Sequence, residues 1–193
     1  MMEKWLYLDP KTYVLGAFLL LSVPLDWLMG GMVAAVVHEL IHLAAIWLLG
    51  GQVYGVRIGL GGATIDFEIS GRGKEAFSAA AGPAGSLMLI FLCHQFPRIA
   101  ICGAAQGLFN LLPVYPLDGG RILDCVLEML LPRYRNRILR WTERCLILFL
   151  ILAAMVGSHC WALGDVPFLV AVILIIKVIL RKRPCKQRKI KVQ

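Results

Sequence analysis

The sequence predicts an all-α polytopic membrane protein of about six transmembrane helices, with a short β-hairpin between the second and third. Three observations predict it. The 193 residues are 59% hydrophobic and only 17% charged, with a mean hydropathy of +0.75, too few polar groups to cover a water-facing surface. Apolar runs near the length of about 20 residues that a bilayer core demands recur along most of the chain. Basic residues gather in alternate connections, as the positive-inside rule requires.

The six candidate spans are residues 13–28, 32–49, 76–96, 99–117, 146–163 and 166–180. The first is preceded by Lys4 and Lys11 mixed with Glu3 and Asp9, and no small-x-small site follows it, so it reads as a retained span rather than a cleaved leader. Between the second and third, "VYGVRI" and "ATIDFEI" alternate apolar and polar residues around Gly59, Gly61 and Gly62. Alternation with a period of two predicts a hairpin of two strands, lying at the cytosolic interface or dipping into the protein. The fourth span runs as helix to Leu112 and then meets "NLLPVYPLDGGRIL". Pro113 and Pro116 remove backbone donors, so the helix ends there. Unwound backbone at membrane depth survives only where protein buries it or it lines a wet cavity.

Arg57, Arg72 and Lys74 follow the second span, Arg121 through Arg144 follow the fourth, and "RKRPCKQRKIKVQ" closes the chain; the other connections carry only Arg98. Both termini are therefore expected in the cytosol of a multi-pass protein of the bacterial cell membrane. A single membrane domain is expected, with a core at about residues 30–131, extra helices at about 144–180 and a basic tail at 181–193. The formal charge of +8 then follows from topology. The tail is suited to anionic lipid, and nucleic acid is not an expected partner. The six cysteines form no CxxC pair, which predicts reduced, packed thiols.

The chemistry sits in "MVAAVVHELIHLAAIWLLG". His38 and His42 are four apart and share a helix face, so their imidazoles can bind one metal ion while Glu39 reaches a water beside it. Zinc accepts such nitrogen and oxygen donors and keeps a position open for water. Ionisable groups at membrane depth are costly without a partner, and three within five residues call for a cation. A third ligand must come from another span. Asp118, in the broken region beside Gly119 and Gly120, is the best placed. Asp26 falls at the wrong end of its span, and Asp124 and Glu128 are suited to ion pairs with nearby arginines. His94 and His159 read as interfacial or packing residues.

"HELIH" followed by "NLLPVYPLDGGR", with "AAAGPAGSL" between them, resembles the site-2 protease family of intramembrane zinc metalloproteases, peptidase family M50. The resemblance covers residues 33–123. It implies one zinc ion held by His38, His42 and Asp118, Glu39 as the base that activates water, and Asn110 holding substrate or the oxyanion. It implies hydrolysis of a peptide bond in or next to a transmembrane segment of a membrane-tethered protein. The small size resembles the sporulation branch, which cleaves a sigma-factor precursor and implies a membrane-protein regulator. Ser86 stands where many relatives carry asparagine. The hairpin at 53–69 then offers either an edge for an extended substrate or an interfacial lid. A metal transporter or metal-binding protein using the same ligands without proteolysis is the rival expectation.

Overall fold

The computed structural model describes residues 6–8, 20–59 and 62–160. Two units divide the chain, Met1–Glu143 and Arg144–Gln193. The sixth expected span, the basic tail and residues 13–19 of the first span lie outside the described residues. Among those described, five α-helices and a three-stranded sheet form: β1 (Leu6–Leu8), α1 (Leu25–Leu48), β2 (Gln52–Gly59), β3 (Gly62–Glu68), α2 (Arg72–Met88), α3 (Pro97–Asn110), α4 (Asp118–Leu130) and α5 (Arg135–Cys160).

The first correction concerns where α1 begins. The second span was expected from residue 32, but the chain breaks at Pro24, whose carbonyl accepts from the Trp27 and Leu28 amides at 3.0 Å each. Proline at a helix start gives up only an amide that would be orphaned there anyway. Gly30 faces the start of α3, where a Cβ would meet the Arg98 carbonyl carbon at 3.4 Å, an ordinary contact distance. Asp26 therefore lies in the first turn of α1, paired with Arg98 at 2.7 Å, rather than at the end of a separate span. At the other end, Gly50 takes φ 76°. Its amide donates to Trp47 and that of Gly51 to Ile46. This is a Schellman close, which needs a residue tolerant of the left-handed region at that point. Lys74 Nζ caps the Leu49 carbonyl at 3.1 Å.

Along α1 the buried residues are Gly30, Ala34, His38, His42, Ala45 and Ile46, one stripe at steps of about four. The opposite face exposes Met29, Met32, Val36, Leu40, Trp47 and Leu48. The histidines face inward and the large apolar groups outward, the pattern of a helix solvated by lipid. Two helices are long and apolar enough to cross a bilayer, α1 with 24 residues and α2 continued by the 3-10 turn Leu89–Leu92, 21 residues in all. Among the described residues no other helix meets that test.

α2 is central and packs on α1, α3 and α4. Its contact face carries Ser78, Ala79, Gly82, Pro83, Gly85 and Ser86, all buried. Small residues let helix backbones close together where lipid supplies no hydrophobic drive. A Cβ at Gly85 would meet Ile41 side-chain carbon at 2.6 Å.

The hairpin forms as expected, with β2 and β3 antiparallel and a bulge near Val53–Gly55. A third strand, β1, adds parallel to β2, Leu6 facing Val56. The order β1-β2-β3 leaves β3 as the edge that follows the hairpin.

The second correction concerns the region after α3. That helix stops at Asn110 rather than Leu112, and residues 111–117 are irregular. Residues expected in a cytosolic loop then form α4 and the start of α5. Gly119 and Gly120 do not make turns. They lie in the first turn of α4, where a Cβ would collide with the carbonyls of Leu111 and Leu112 at Gly119, and of Val114 at Gly120. The prolines end one helix and the glycines let the next start directly against it.

Candidate metal centre

Three donor atoms converge where α1 meets the start of α4. His38 Nε2 and His42 Nε2 are 3.2 Å apart, and each is 3.1 Å from Asp118 Oδ2. The two rings stand nearly perpendicular, at 83°, so both Nε2 atoms aim at one point. All three residues are buried.

The outer ring nitrogens say what the inner ones carry. His42 Nδ1 lies 2.7 Å from the Ser78 carbonyl oxygen, which can only accept, so Nδ1 bears the proton and Nε2 of the neutral ring is a bare lone pair. His38 Nδ1 lies 2.8 Å from Ser86 Oγ, which can accept in the same manner. With Ser86 accepting in that way, two lone pairs and a carboxylate oxygen face one another in a buried space, which repels unless a cation lies among them. Donors about 2.05 Å from a tetrahedral ion are about 3.3 Å from each other, close to the observed triangle. The donor set therefore fits zinc, with His38, His42 and Asp118 as the residues that would hold it.

The sequence explains why the side chains reach this point. Gly82 faces His42, and a Cβ there would fall on the imidazole, 2.5 and 2.6 Å from its Cδ2 and Cε1 atoms. Pro83 has no amide for the Ala79 carbonyl and presses on that turn of α2, beside the Ser78 carbonyl that takes the His42 proton. "AAAGPAGSL" thus supplies the space for one imidazole and, through Ser86, a partner for the other. Sequence reasoning left Ser86 unassigned and missed Ser78, whose contribution is backbone and leaves no side-chain signature.

Glu39 is half-buried on the same turn as the histidines, within electrostatic reach of His42, His38, Asp118 and Arg121. The basic residue is one that sequence reasoning did not foresee near the site: Arg121 Nη1 lies 3.9 Å from Asp118 Oδ1. Asn110 is not drawn into the triangle by any described contact; its amide donates to the Gln106 carbonyl within α3 at 3.1 Å. Asp26 lies in its pair with Arg98. The His94 side chain is exposed, and that of His159 lies outside the described residues.

Asp124 and Glu128 form the ion pairs expected of them. Arg135 grips Asp124 through Nε at 2.5 Å and Nη2 at 2.6 Å. Arg72 lies 2.9 Å from Glu128, and Tyr115 donates to Asp124 at 3.0 Å. Burial pushes the Asp124 carboxyl up, but the Arg135 and Tyr115 hydrogen bonds outweigh it and hold it below the usual carboxylate range.

Comparison with known proteins agrees with this geometry. The model of "Peptidase family M50" matches residues 77–153, a stretch that includes Gly82, Ser86 and Asp118. Stage IV sporulation protein FB of Bacillus subtilis is 27% identical over 187 residues, 86% of this chain and 62% of that protein. The chain thus spans about three-fifths of the length of the curated relative it matches. The fold resembles that of a site-2 protease from Methanocaldococcus jannaschii, with a TM-score of 0.68 and 17% identity, over 96% of this chain and 95% of that one. With two histidines of an HExxH turn and the aspartate of "PLDGG" meeting at one point, the chain resembles peptidase family M50 in sequence over residues 77–153 and a site-2 protease in fold.

Proposed function

We propose that this integral membrane protein is an intramembrane zinc metalloprotease that cuts a membrane-tethered protein in or next to its transmembrane segment. The observation that carries the proposal is the donor triangle built from two separate helices, with Glu39 beside it. Zinc held by His38, His42 and Asp118 supplies Lewis acidity toward water and toward a peptide carbonyl.

The chain's own groups do the rest. Glu39 takes a proton from the attacking water and passes it to the leaving amine as the C–N bond breaks. His42 stays in one tautomer because its Nδ1 proton is held by the Ser78 carbonyl. Ser86 fixes the His38 ring in the same way. A scissile bond must leave its helix to be reached, since a helical amide is already satisfied internally. An extended segment pairing with the edge of β3 would hold it open. Asn110, at the end of α3 near the irregular segment 111–117, would hold substrate after a change of its present hydrogen bond. The likeness to a stage IV sporulation protein supports a client of the sporulation type, a sigma-factor precursor under a membrane-protein regulator.

The test is cleavage of membrane-tethered candidate substrates by the purified chain, with zinc content measured on the same samples. Glu39→Gln is expected to keep zinc and lose cleavage, and Asp118→Ala to lose both. Undiminished cleavage by Glu39→Gln would overturn the protease reading, and zinc retained with no cleavage by the wild type would favour a metal-binding or transport role.

A further inference from the structure

Arg121 stands at a junction that neither the family resemblance nor the proposed chemistry uses. Its Nη1 is 3.9 Å from Asp118 Oδ1, while the other oxygen of that carboxylate faces both imidazoles at 3.1 Å. Its guanidinium carbon lies 5.1 Å from the centre of the Phe67 ring, within the range of a cation–π contact. Phe67 is the next-to-last residue of β3 and pairs with Val53 across the hairpin. One side chain therefore touches the metal-binding carboxylate and the edge strand together.

The position of that strand gives the contact its meaning. β1 and β3 are the two outer strands of the described sheet, and β3 is the one that Arg121 contacts, so a strand added to β3 would lie on the side of the site. A pairing strand fixes the height and register of a substrate relative to the site only if β3 is itself held relative to the site. The hairpin is joined to α1 through Gly50 and Gly51 and to α2 through Gly71, which adopts φ 100°. The Schellman close fixes the α1 end, and the contact of Phe67 with Arg121 adds a tie between β3 and α4.

We infer that Arg121 is a positioning residue that couples the β3 edge to the zinc-binding carboxylate, through Phe67 on one side and Asp118 on the other. This rests on the protease reading for its role in turnover, though not for the contact itself. The guanidinium carbon is 5.1 Å from the ring centre while Nη1 is 3.9 Å from the carboxylate, an ion pair longer than a hydrogen bond. A lysine keeps the charge but not the plane.

The experiment uses the full chain in lipid nanodiscs. Arg121→Ala, Arg121→Lys, Phe67→Leu and the Arg121→Ala/Phe67→Leu pair are compared with wild type in three measurements. These are hydrogen exchange of the 62–68 amides without substrate, zinc affinity, and kcat and KM for a membrane-tethered substrate. Each of Arg121→Ala and Phe67→Leu is expected to speed β3 exchange and to lower kcat/KM by roughly 3- to 30-fold, the range a cation–π contact spans. The pair is expected to lose little more than either alone, with zinc affinity within about threefold of wild type. Arg121→Lys should recover part of the loss. Additive losses in the pair, unchanged β3 exchange, or a loss explained wholly by zinc release would overturn the inference. The exchange result stands whatever the cleavage assay returns; wild type no more active than Glu39→Gln would remove the protease reading alone.

Discussion

Replacing Gly82 by alanine tests the centre at its tightest contact. The new methyl would lie 2.5 Å from the His42 Cδ2 atom and 2.6 Å from Cε1. Carbon atoms settle at about 3.5 Å or more, so the ring must retreat by roughly 1 Å. It cannot turn freely, because Nδ1 is tied to the Ser78 carbonyl on the same helix as the intruding methyl. A zinc bond tolerates a displacement of about 0.2 Å, so His42 ceases to be a good ligand. Zinc affinity is expected to fall at least about 100-fold, or about 2.8 kcal/mol. Overpacking should also destabilise the fold by about 1–3 kcal/mol. The assay is zinc competition against a chelator of known affinity, with cleavage followed in parallel. Gly31→Ala is the control, since a Cβ there meets nothing within 4 Å; it is expected to keep wild-type affinity. Zinc bound to Gly82→Ala within threefold of wild type would refute the placement of His42 against α2.

Ser86→Ala removes the partner of His38 Nδ1 and should weaken zinc about 10- to 100-fold while leaving the fold intact by circular dichroism. Arg135→Gln strips the bidentate partner from Asp124 and one partner from Glu128, and should destabilise the protein by about 1–3 kcal/mol in detergent denaturation. The Asp124 carboxyl is held below its ordinary value of about 3.9. Its contribution is therefore fully present above that pH and lost as pH falls through the lowered value. Acid unfolding below about pH 4 should lose this component in Arg135→Gln. Asp26→Asn breaks only a half-exposed pair with Arg98 and should leave zinc affinity unchanged; weakened zinc would mean that Asp26, not Asp118, completes the ligand set.

The three converging donors were legible in the sequence because their signal is local. A spacing of four from His38 to His42 places them on one helix face whatever surrounds them, and prolines mark the break before Asp118. What positions the ligands was not legible, since it lies in contacts between helices. Ser78 contributes a carbonyl, which every residue has, and only its approach to His42 sets it apart. Gly82 could be noticed beside Pro83, but its need for an absent Cβ appears only when the imidazole is seen against it. α4 was read as loop because its glycines and charges suggested a wet connection. Yet Asp118, Arg121, Asp124 and Glu128 follow one another at steps of three, three and four, a helical spacing. The three-residue strand β1 pairs with a partner some fifty residues away and carries no periodicity of its own.

The charged face of α4 explains how so short a helix can present a ligand accurately. At 13 residues, α4 is too short to be held by lipid at both ends. Its rotation must be set by side chains, and the polar stripe does this. Asp124 is gripped by Arg135 at the start of α5 and by Tyr115 in the irregular segment. Glu128 is shared between Arg72, at the start of α2, and Arg135. These contacts lie one to three turns from Asp118, at the end of the helix away from the histidines. A turn of α4 by one residue would swing Asp118 by about 100° and break the bidentate Asp124 pair at the same time. The ion pairs and the donor triangle thus favour one rotation, and an Arg135 variant should lose zinc affinity together with stability, although Arg135 itself makes no contact with the ligands.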